Sequence, residues 1–451
     1  MGYIIKNATL VNEGKSMLAS VVISGDRITQ ILPGKDAFNC ISTETIIDAT
    51  GLYLIPGIID EHVHFREPGL TQKADIFTES RAAVAGGITS FMDMPNTNPQ
   101  TTTQELLQQK FDIAAEKSAA NYSFYLGATN DNIDEIKKVD PKKVCGIKLF
   151  MGSSTGNMLV NDNDTLVRLF NESPCLIAAH CEDEQIIHEN TVCCKDLASK
   201  GEVIADAGIH PFVRTTEACY KSTAKAVDMA TKFGARLHVM HISTKSELTL
   251  FRNDIPLRDK KITAETCPHY LTFCDKDYEE KSYAIKCNPA IKMASDREIL
   301  RKAIVDGHID TIGTDHAPHL WHEKFTDDYF TAKSGFPSIQ NSLDIMLNLY
   351  HQGVVSLEQI VRLMCHNPAE LYQIKDRGFI HEGYYADLVL VDLNHEKLIK
   401  NDDMLYKCGW TPYDGMSVKS NVTHTFVNGN LVYHDGVVEA NIIGKPLEFD
   451  R

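Results

Sequence analysis

Two histidines separated by a single residue, His62 and His64, follow the apolar run LIPGIID. Side chains at positions i and i+2 of an extended chain point to the same side, so both imidazoles can bind one metal ion. Such a pair also occurs as surface or packing histidines. His180 and His241 each end a further apolar run, in LIAAHCED and HVMHIST, where a lone histidine is often a buried core residue. Together the four imidazoles favour two metal ions, and a ligand set without thiolate favours zinc, with manganese, cobalt or iron as alternatives.

Two more residues could complete such a centre. Lys148 lies among apolar neighbours in GIKLF, where the simplest interpretation is a packed stem with the amine reaching solvent. Burial would instead favour the free amine, which can react with carbon dioxide to form a carbamate whose two oxygens bridge two cations. The spacing does not show that modification. Asp315, in IGTDHAPH, could bind a metal and also move a proton, or could simply cap a structural element.

Polar residues near these ligands could hold a substrate. Arg66 in HFREPG follows the histidine pair and offers a bidentate clamp for a carboxylate. Asn96 in MPNTNP and Asn288 in KCNPA stand beside prolines, where an asparagine also commonly forms a turn. His319 is ambiguous from the residues alone.

The elements that must position these residues are strands that alternate with helical patterns. Helical periodicity is clearest over 103–118, 215–233 and 296–306. Alternation of this kind predicts a parallel sheet, and eight runs over this length fit a (β/α)8 TIM-like barrel. The candidate residues fall at the carboxyl ends of the runs, which share the face where barrel active sites form. The eight apolar runs are 54–60, 88–94, 123–127, 144–150, 176–179, 237–240, 262–265 and 311–313.

Both ends of the chain have a different pattern, with short strands separated by turns. Asn428-Gly429 between two alternating runs predicts a hairpin. We expect the two ends to join in one small composite β-sandwich domain. The predicted division is 1–52 for the first part of this domain, 53–375 for the barrel and 376–451 for the second part. The predicted terminal strands are 3–11, 20–24, 27–32, 45–48, 386–392, 422–427 and 431–433.

Composition limits the class of protein. The 451 residues are 43% hydrophobic and 24% charged, which is ordinary for a folded globular chain. The net charge of −16 argues against binding to nucleic acid, and no run of about 18 apolar residues predicts a membrane span. The start, MGYIIKNATLVNEGK, lacks the pattern of a signal peptide. The twelve cysteines are scattered without a CxxC pair, so we expect a reduced, cytoplasmic protein.

Taken together, the motifs resemble the amidohydrolase superfamily and, within it, the dihydroorotases. The resemblance covers most of the chain, in PGIIDEHVHFREPG, AGGITSFMDMPNTNP, GIKLF, AHCED, MHIST, CPHYL, KCNPAIK and GTDHAPH. The HxH, AGG-T and PNT elements are shared with hydantoinases and allantoinases. The discriminating feature is REPG, because relatives that act on hydantoins or allantoin typically lack its arginine.

The resemblance implies a binuclear zinc site at the mouth of the barrel. His62 and His64 would bind the first metal, and His180 and His241 the second. Asp315 would complete the ligand set of the first metal and act as the proton carrier, and a carboxylated Lys148 and a hydroxide would bridge the two ions. Some dihydroorotases use an aspartate from an Asp-Asp-Gly segment after the fourth strand. The corresponding stretch here, MGSSTGNM, contains no acid, which supports a bridging lysine and leaves the subgroup open.

The implied activity is the reversible cyclisation of N-carbamoyl-L-aspartate to L-dihydroorotate in pyrimidine biosynthesis. Arg66, Asn96, Asn288 and His319 are similar to the substrate contacts of dihydroorotases. The alternatives are a hydantoinase, dihydropyrimidinase or allantoinase, a metal-free barrel lyase, and a non-catalytic homologue that scaffolds a partner. The sequence leaves the oligomeric state open, with a homodimer among the options. Residues 152–156 and 316–337 are the candidate covers for a small-molecule substrate.

Overall fold

The computed structural model describes residues 2–35, 44–152, 158–439 and 444–451. Its strands are β1 (Gly2–Asn12), β2 (Lys15–Ser24), β3 (Arg27–Pro33), β4 (Thr45–Asp48), β5 (Tyr53–Pro56), β6 (Ile58–Val63), β7 (Ile88–Asp93), β8 (Asn121–Gly127), β9 (Gly146–Phe150), β10 (Ile177–His180), β11 (Leu237–Val239), β12 (Ile262–Thr266), β13 (Thr311–Ile312), β14 (Leu388–Asp392), β15 (Lys397–Leu398), β16 (Ser417–Val418), β17 (Asn421–Val427), β18 (Asn430–His434) and β19 (Val437–Val438). Its α-helices are α1 (Ile76–Ala85), α2 (Gln104–Lys117), α3 (Ile133–Ile136), α4 (Asn163–Glu172), α5 (Glu184–Ser199), α6 (His210–Val213), α7 (Thr216–Phe233), α8 (Pro268–Thr272), α9 (Tyr278–Lys281), α10 (Ala294–Asp306), α11 (Trp321–Lys324), α12 (Ser342–His351), α13 (Leu357–Val361) and α14 (Asn367–Tyr372).

Strands β6 to β13 form one parallel sheet in chain order, which confirms the predicted barrel. The sheet closes through a parallel bridge between Val63, the last residue of β6, and His316, which follows β13. The His64 amide also donates to the His316 carbonyl oxygen at 2.8 Å. Strands β7, β8 and β9 are buried along their whole length, as expected when helices cover the outside of a parallel sheet. Their carboxyl ends share one rim of the barrel.

The prediction of a single strand over 54–60 is wrong, because two strands occupy this run. Strand β5 pairs with β1 and β14, whereas β6 begins the barrel. Gly57 separates them, and a Cβ atom at this position would lie 2.1 Å from the Thr89 hydroxyl oxygen. Both strands are buried, so the sequence stays apolar from β5 to β6. The hydrophobic pattern therefore gives no sign that the chain passes from one sheet to the other.

Strands from both ends of the chain form a nine-stranded mixed sheet, called the terminal sheet below, in the order β19-β18-β17-β14-β5-β1-β2-β3 with β4 beside β1. This confirms the prediction that both termini build one β unit. Strand β14 is buried on both faces of this sheet. Its alternate side chains point to opposite sides. Leu388 and Leu390 pack with the strands of the N-terminal part, whereas Val389 and Val391 pack into the core shared with the barrel. The domain bounds stay a prediction.

Side-chain caps fix the starts of two of the predicted helices, α2 and α7. Thr103 accepts a hydrogen bond from the Leu106 amide at 3.3 Å and begins α2. Thr215 does the same for the Ala218 amide at 3.2 Å and begins α7, which ends at Gly234 with φ of +66°. In the described ranges no helix is both long and apolar enough to cross a membrane.

Candidate metal centre

The histidine pair lies at the end of β6, and both rings face Asp315. The His62 and His64 Nε2 atoms lie 3.2 Å and 3.1 Å from the same Asp315 oxygen, Oδ1. Asp315 follows β13, next to β6 in the closed barrel, and its backbone has a left-handed φ of +47°. The ligand atoms of these three buried residues all lie within 4.8 Å of one another, so they can hold one metal ion.

The other ring nitrogen of each histidine is held by a side chain from another strand end, Glu265 on β12 or Asn96 after β7. His62 Nδ1 lies 2.8 Å from Glu265 Oε1 and donates to this carboxylate, while His64 Nδ1 lies 2.7 Å from Asn96 Oδ1 and donates to this amide oxygen. These contacts leave both Nε2 atoms as lone-pair donors toward Asp315, the arrangement in which an outer hydrogen bond fixes the tautomer of a metal-binding histidine.

The second histidine pair lies on β10 and just after β11. His180 Nδ1 and His241 Nε2 are 2.8 Å apart, so one cation can be bound by both. His180 Nε2 donates to Glu182 Oε2 at 3.0 Å, and the Arg214 guanidinium donates to the same oxygen at 2.6 Å. Burial would raise the pKa of Glu182, but Arg214 and His180 lower it to about 2, so Glu182 stays an anion that orients His180.

Lys148 lies on β9, inside the barrel and close to the second pair. Its ammonium nitrogen contacts the Met240 sulfur at 2.9 Å, directly before His241, and faces the Phe150 ring. A thioether and an aromatic face solvate an ammonium poorly, and burial accordingly lowers the pKa of Lys148 to about 8 despite the nearby Glu265 and Asp315 carboxylates. About a tenth of the amine is therefore free at pH 7.

The protonation states at the rim suit cation binding. Burial lowers the pKa of His62 to about 3 and that of His64 to about 4, so both rings are neutral at neutral pH. Burial also lowers the pKa of His241 well below its usual value. Neutral imidazoles and a carboxylate are a donor set that fits zinc.

A second buried group of potential ligands, which the sequence analysis missed, lies next to the first. The ligand atoms of Glu61, His238 and Glu265 also lie within 4.8 Å of one another. Glu265 joins the two groups, because its Oε1 contacts His62 while its Oε2 lies 3.9 Å from His238 Nε2. The available sequence signal was the acidic pair Asp60-Glu61 in an otherwise apolar run, since buried acids are rare without a partner.

The predicted substrate contacts are only partly brought together. Arg66 lies beside His319, with its Nη2 at 3.3 Å from His319 Nε2, and its Nε donates to the Pro318 carbonyl oxygen at 3.2 Å. Asn96 contacts His64 at the same rim. Asn288 instead accepts from His210 Nε2 at 3.1 Å, and thereby joins the long 181–215 connection.

Of the two candidate covers, one can be described. Residues 153–156 of the segment 152–156 lie outside the described residues. The segment 316–337 contains α11 and packs over the rim, where the Lys286 ammonium donates to the carbonyl oxygens of Tyr329 and Ala332 at 2.8 Å and 2.5 Å. Buried contacts therefore anchor this cover.

Comparisons with known proteins agree with this geometry. Residues 53–432 match the Amidohydrolase family. The dihydroorotase of Methanosarcina acetivorans is 31% identical over 98% of this chain and 93% of its own, and an allantoinase of Deinococcus radiodurans is 31% identical over 98% of both. The solved L-hydantoinase (dihydropyrimidinase) of Arthrobacter aurescens has a TM-score of 0.92, 26% identity and 99% coverage of both chains. Similarity over nearly the whole length thus shows that this chain belongs to the amidohydrolase family, among cyclic amidohydrolases that differ in substrate.

Proposed function

We propose that this protein is a dihydroorotase, which interconverts N-carbamoyl-L-aspartate and L-dihydroorotate in de novo pyrimidine (UMP) biosynthesis. The observation that carries the proposal is the environment of Arg66. Its guanidinium is buried at the rim and contacts a carbonyl oxygen and an imidazole, and no carboxylate pairs with it in the described part of the chain. Asp315, Asp93 and Glu323 favour its charge only from a distance. A buried cation without a directly bonded carboxylate is costly, and the carboxylate of dihydroorotate would supply that partner in bidentate geometry.

The neighbours of Arg66 suit the same group. Asn96 uses its amide oxygen to accept from His64, which leaves its amide N–H groups for a substrate. His319 lies beside Arg66 and adds a second polar contact. Asn288 would also contact the substrate, held by His210. Hydantoin, dihydrouracil and allantoin carry no carboxylate that would need this arrangement.

We infer that the two histidine pairs hold two zinc ions, with Asp315 on the first ion and a carboxylated Lys148 between them. The donor set fits, because the four rings converge in two pairs and the pKa of Lys148 leaves amine free for reaction with carbon dioxide. Two cations bound here would make water more acidic and polarise the ring amide carbonyl.

The role of Asp315 follows from its position between the two β6 histidines. In the hydrolytic direction Asp315 accepts a proton from the water that attacks the ring amide carbon. It then delivers this proton to the ring nitrogen as the carbon–nitrogen bond breaks. In the synthetic direction Asp315 removes the proton from the ureido nitrogen, which attacks the carbon of the side-chain carboxylic acid. Asp315 then gives this proton to the hydroxyl oxygen of that acid, whose bond to carbon breaks and which leaves as water. The eleven cysteines in the described ranges are unpaired, which supports a reducing, cytoplasmic setting for this reaction.

Replacing Arg66 by methionine tests the proposal. A lost charge-assisted hydrogen bond should lower kcat/KM for dihydroorotate by roughly 10- to 150-fold. Slow turnover of hydantoin, which has no carboxylate, should be spared. An equal loss on both substrates would show that Arg66 is structural.

A second candidate is a hydantoinase, dihydropyrimidinase or allantoinase activity. The similarity to the Arthrobacter aurescens and Deinococcus radiodurans proteins favours it, because the activities for which these proteins are named concern rings without a carboxylate. Assays of the unaltered protein with dihydroorotate, hydantoin, dihydrouracil and allantoin separate the two candidates. The proposal requires dihydroorotate to be the best substrate by kcat/KM.

A further inference from the structure

Lys73 is a buried cation that shares one turn with Arg66. The Leu70 amide donates to the Arg66 carbonyl oxygen and the Lys73 amide donates to the Leu70 carbonyl oxygen, both at 3.0 Å. The Lys73 side chain points back to the rim, where its Nζ lies 3.1 Å from His319 Nδ1 and 3.0 Å from Glu323 Oε1. The short turn therefore places two cations on opposite sides of one imidazole ring.

The contact with Lys73 fixes which nitrogen of His319 carries the proton. An ammonium group has only donors, so His319 Nδ1 must accept in this contact. Burial lowers the pKa of His319 to about 3, so the ring is neutral and its hydrogen is on Nε2. Nε2 lies 3.1 Å from the Ser334 carbonyl oxygen, which can accept this hydrogen. Arg66 Nη2, which is also a donor, lies 3.3 Å from the same nitrogen. With the hydrogen on Nε2 this contact is between two donors, so a substrate carboxylate that displaces the Ser334 contact can accept from both.

We propose that Lys73 is a positioning residue for substrate binding, which holds His319 in the Nε2–H tautomer so that a second donor stands beside Arg66 for the substrate carboxylate. This inference rests on the proposed function, because a carboxylate substrate gives the paired donors their use. Lys73 itself acts through the ring and does not need to touch the substrate.

The structure also shows what removing Lys73 would do. Without the ammonium, Nδ1–H can turn toward Glu323 Oε2, which lies 3.8 Å away. Nε2 then becomes an acceptor 3.3 Å from Arg66 Nη2 and attracts the guanidinium donor that the substrate requires. The substrate carboxylate would then face the lone pair of His319 Nε2 in place of an N–H donor. It would also compete with this lone pair for the Arg66 Nη2 donor.

The first test is kinetic, with Lys73→Met and dihydroorotate as the substrate. We expect KM to rise roughly 10- to 100-fold, with kcat within about threefold of the unaltered enzyme, because a ground-state contact to a charged group is lost. Lys117→Met is the matched control. Lys117, the last residue of α2, pairs at 2.5 Å with Glu67, which lies in the same turn as Lys73, but Lys117 does not contact His319. An equal KM increase in the control, or an unchanged KM in Lys73→Met, would overturn the proposal.

The second test reads the tautomer directly. In protein labelled with 15N-histidine, the ring signals of His319 are identified by their loss in His319→Gln. We expect the Nε2–H pattern in the unaltered protein and in Lys73→Arg, and the Nδ1–H pattern or a mixture in Lys73→Met. An unchanged tautomer in Lys73→Met would overturn the positioning role, whatever happens to KM.

A double variant separates an effect through His319 from a direct one. In the His319→Gln background, adding Lys73→Met should change KM by less than about twofold, because the ring through which Lys73 acts is absent. Additive effects would show a direct role and reject the mechanism. If the unaltered protein does not turn over dihydroorotate, the proposed function fails, while the tautomer measurement still decides whether Lys73 controls His319.

Discussion

Substituting Glu265 by leucine would remove one carboxylate oxygen that supports both histidine pairs. Glu265 Oε1 accepts from His62 Nδ1 at 2.8 Å and from the His241 backbone amide at 3.0 Å. The first bond keeps the hydrogen on Nδ1 of His62 and so presents Nε2 to the metal. Loss of such an outer partner weakens metal binding by roughly 10- to 100-fold. We expect a loss of this size for the metal held by His62.

Competition between the zinc-loaded protein and a chromogenic chelator, together with elemental analysis, measures this loss. Glu265→Gln is the matched variant, because its amide oxygen can still accept from His62, and it should retain most of the affinity. The fold should survive, since the other carboxyl oxygen, Oε2, has no hydrogen-bond partner among the described residues and leucine removes this buried polar atom. Unfolding of the metal-free proteins checks this point. Zinc binding by folded Glu265→Leu as tight as that of the unaltered protein would show that Glu265 does not support the metal ligands.

Three further predictions concern single residues. Asp315→Asn should slow turnover by about 10²- to 10⁴-fold, and a near-normal rate would remove Asp315 from proton transfer. Lys148→Ala should lose bound metal, measured by elemental analysis, and a short-chain carboxylic acid should restore part of it; full metal content would reject the bridging role. Burial lowers the pKa of His269 from 6.5 to about 3, so the unfolded chain takes up a proton first and stability declines as pH falls below 6.5. At pH 5 this residue should lower the free energy of unfolding by about 2 kcal/mol. His269→Phe should recover this loss in denaturant titrations of the metal-free protein. An equal pH dependence of stability in both proteins would contradict this prediction.

The alternation of apolar runs and helical patterns was sufficient to predict the barrel, because each signal repeats over many residues. It also placed His180, His241 and Asp315 at one rim, since the carboxyl ends of parallel strands must meet there. The convergence of the histidines in two pairs then follows from the order of strands around the closed sheet.

The partners of the ligands could not be predicted in the same way. Glu265 and Glu182 each bind a histidine ring, but neither stands in a spacing pattern that marks this contact. Lys73 lies in a polar turn that resembles any exposed loop, and only the tertiary structure brings it to His319, 246 residues away. Such contacts depend on side-chain direction and strand register, which hydrophobic periodicity does not encode. The same limit explains why the change of sheet at Gly57 was missed.

The position of β5 in the terminal sheet has a consequence for synthesis of the chain. Its neighbours are β1, which precedes it closely, and β14, which begins at Leu388, more than three hundred residues after Pro56. At roughly 5–20 residues per second, a ribosome needs on the order of twenty seconds to a minute to make that stretch. Throughout this interval the nascent N-terminal hairpin carries an unpaired apolar edge, which is a template for association with other chains. Chaperones that bind nascent chains should therefore be needed most by this protein before its last sixty or so residues have emerged from the ribosome.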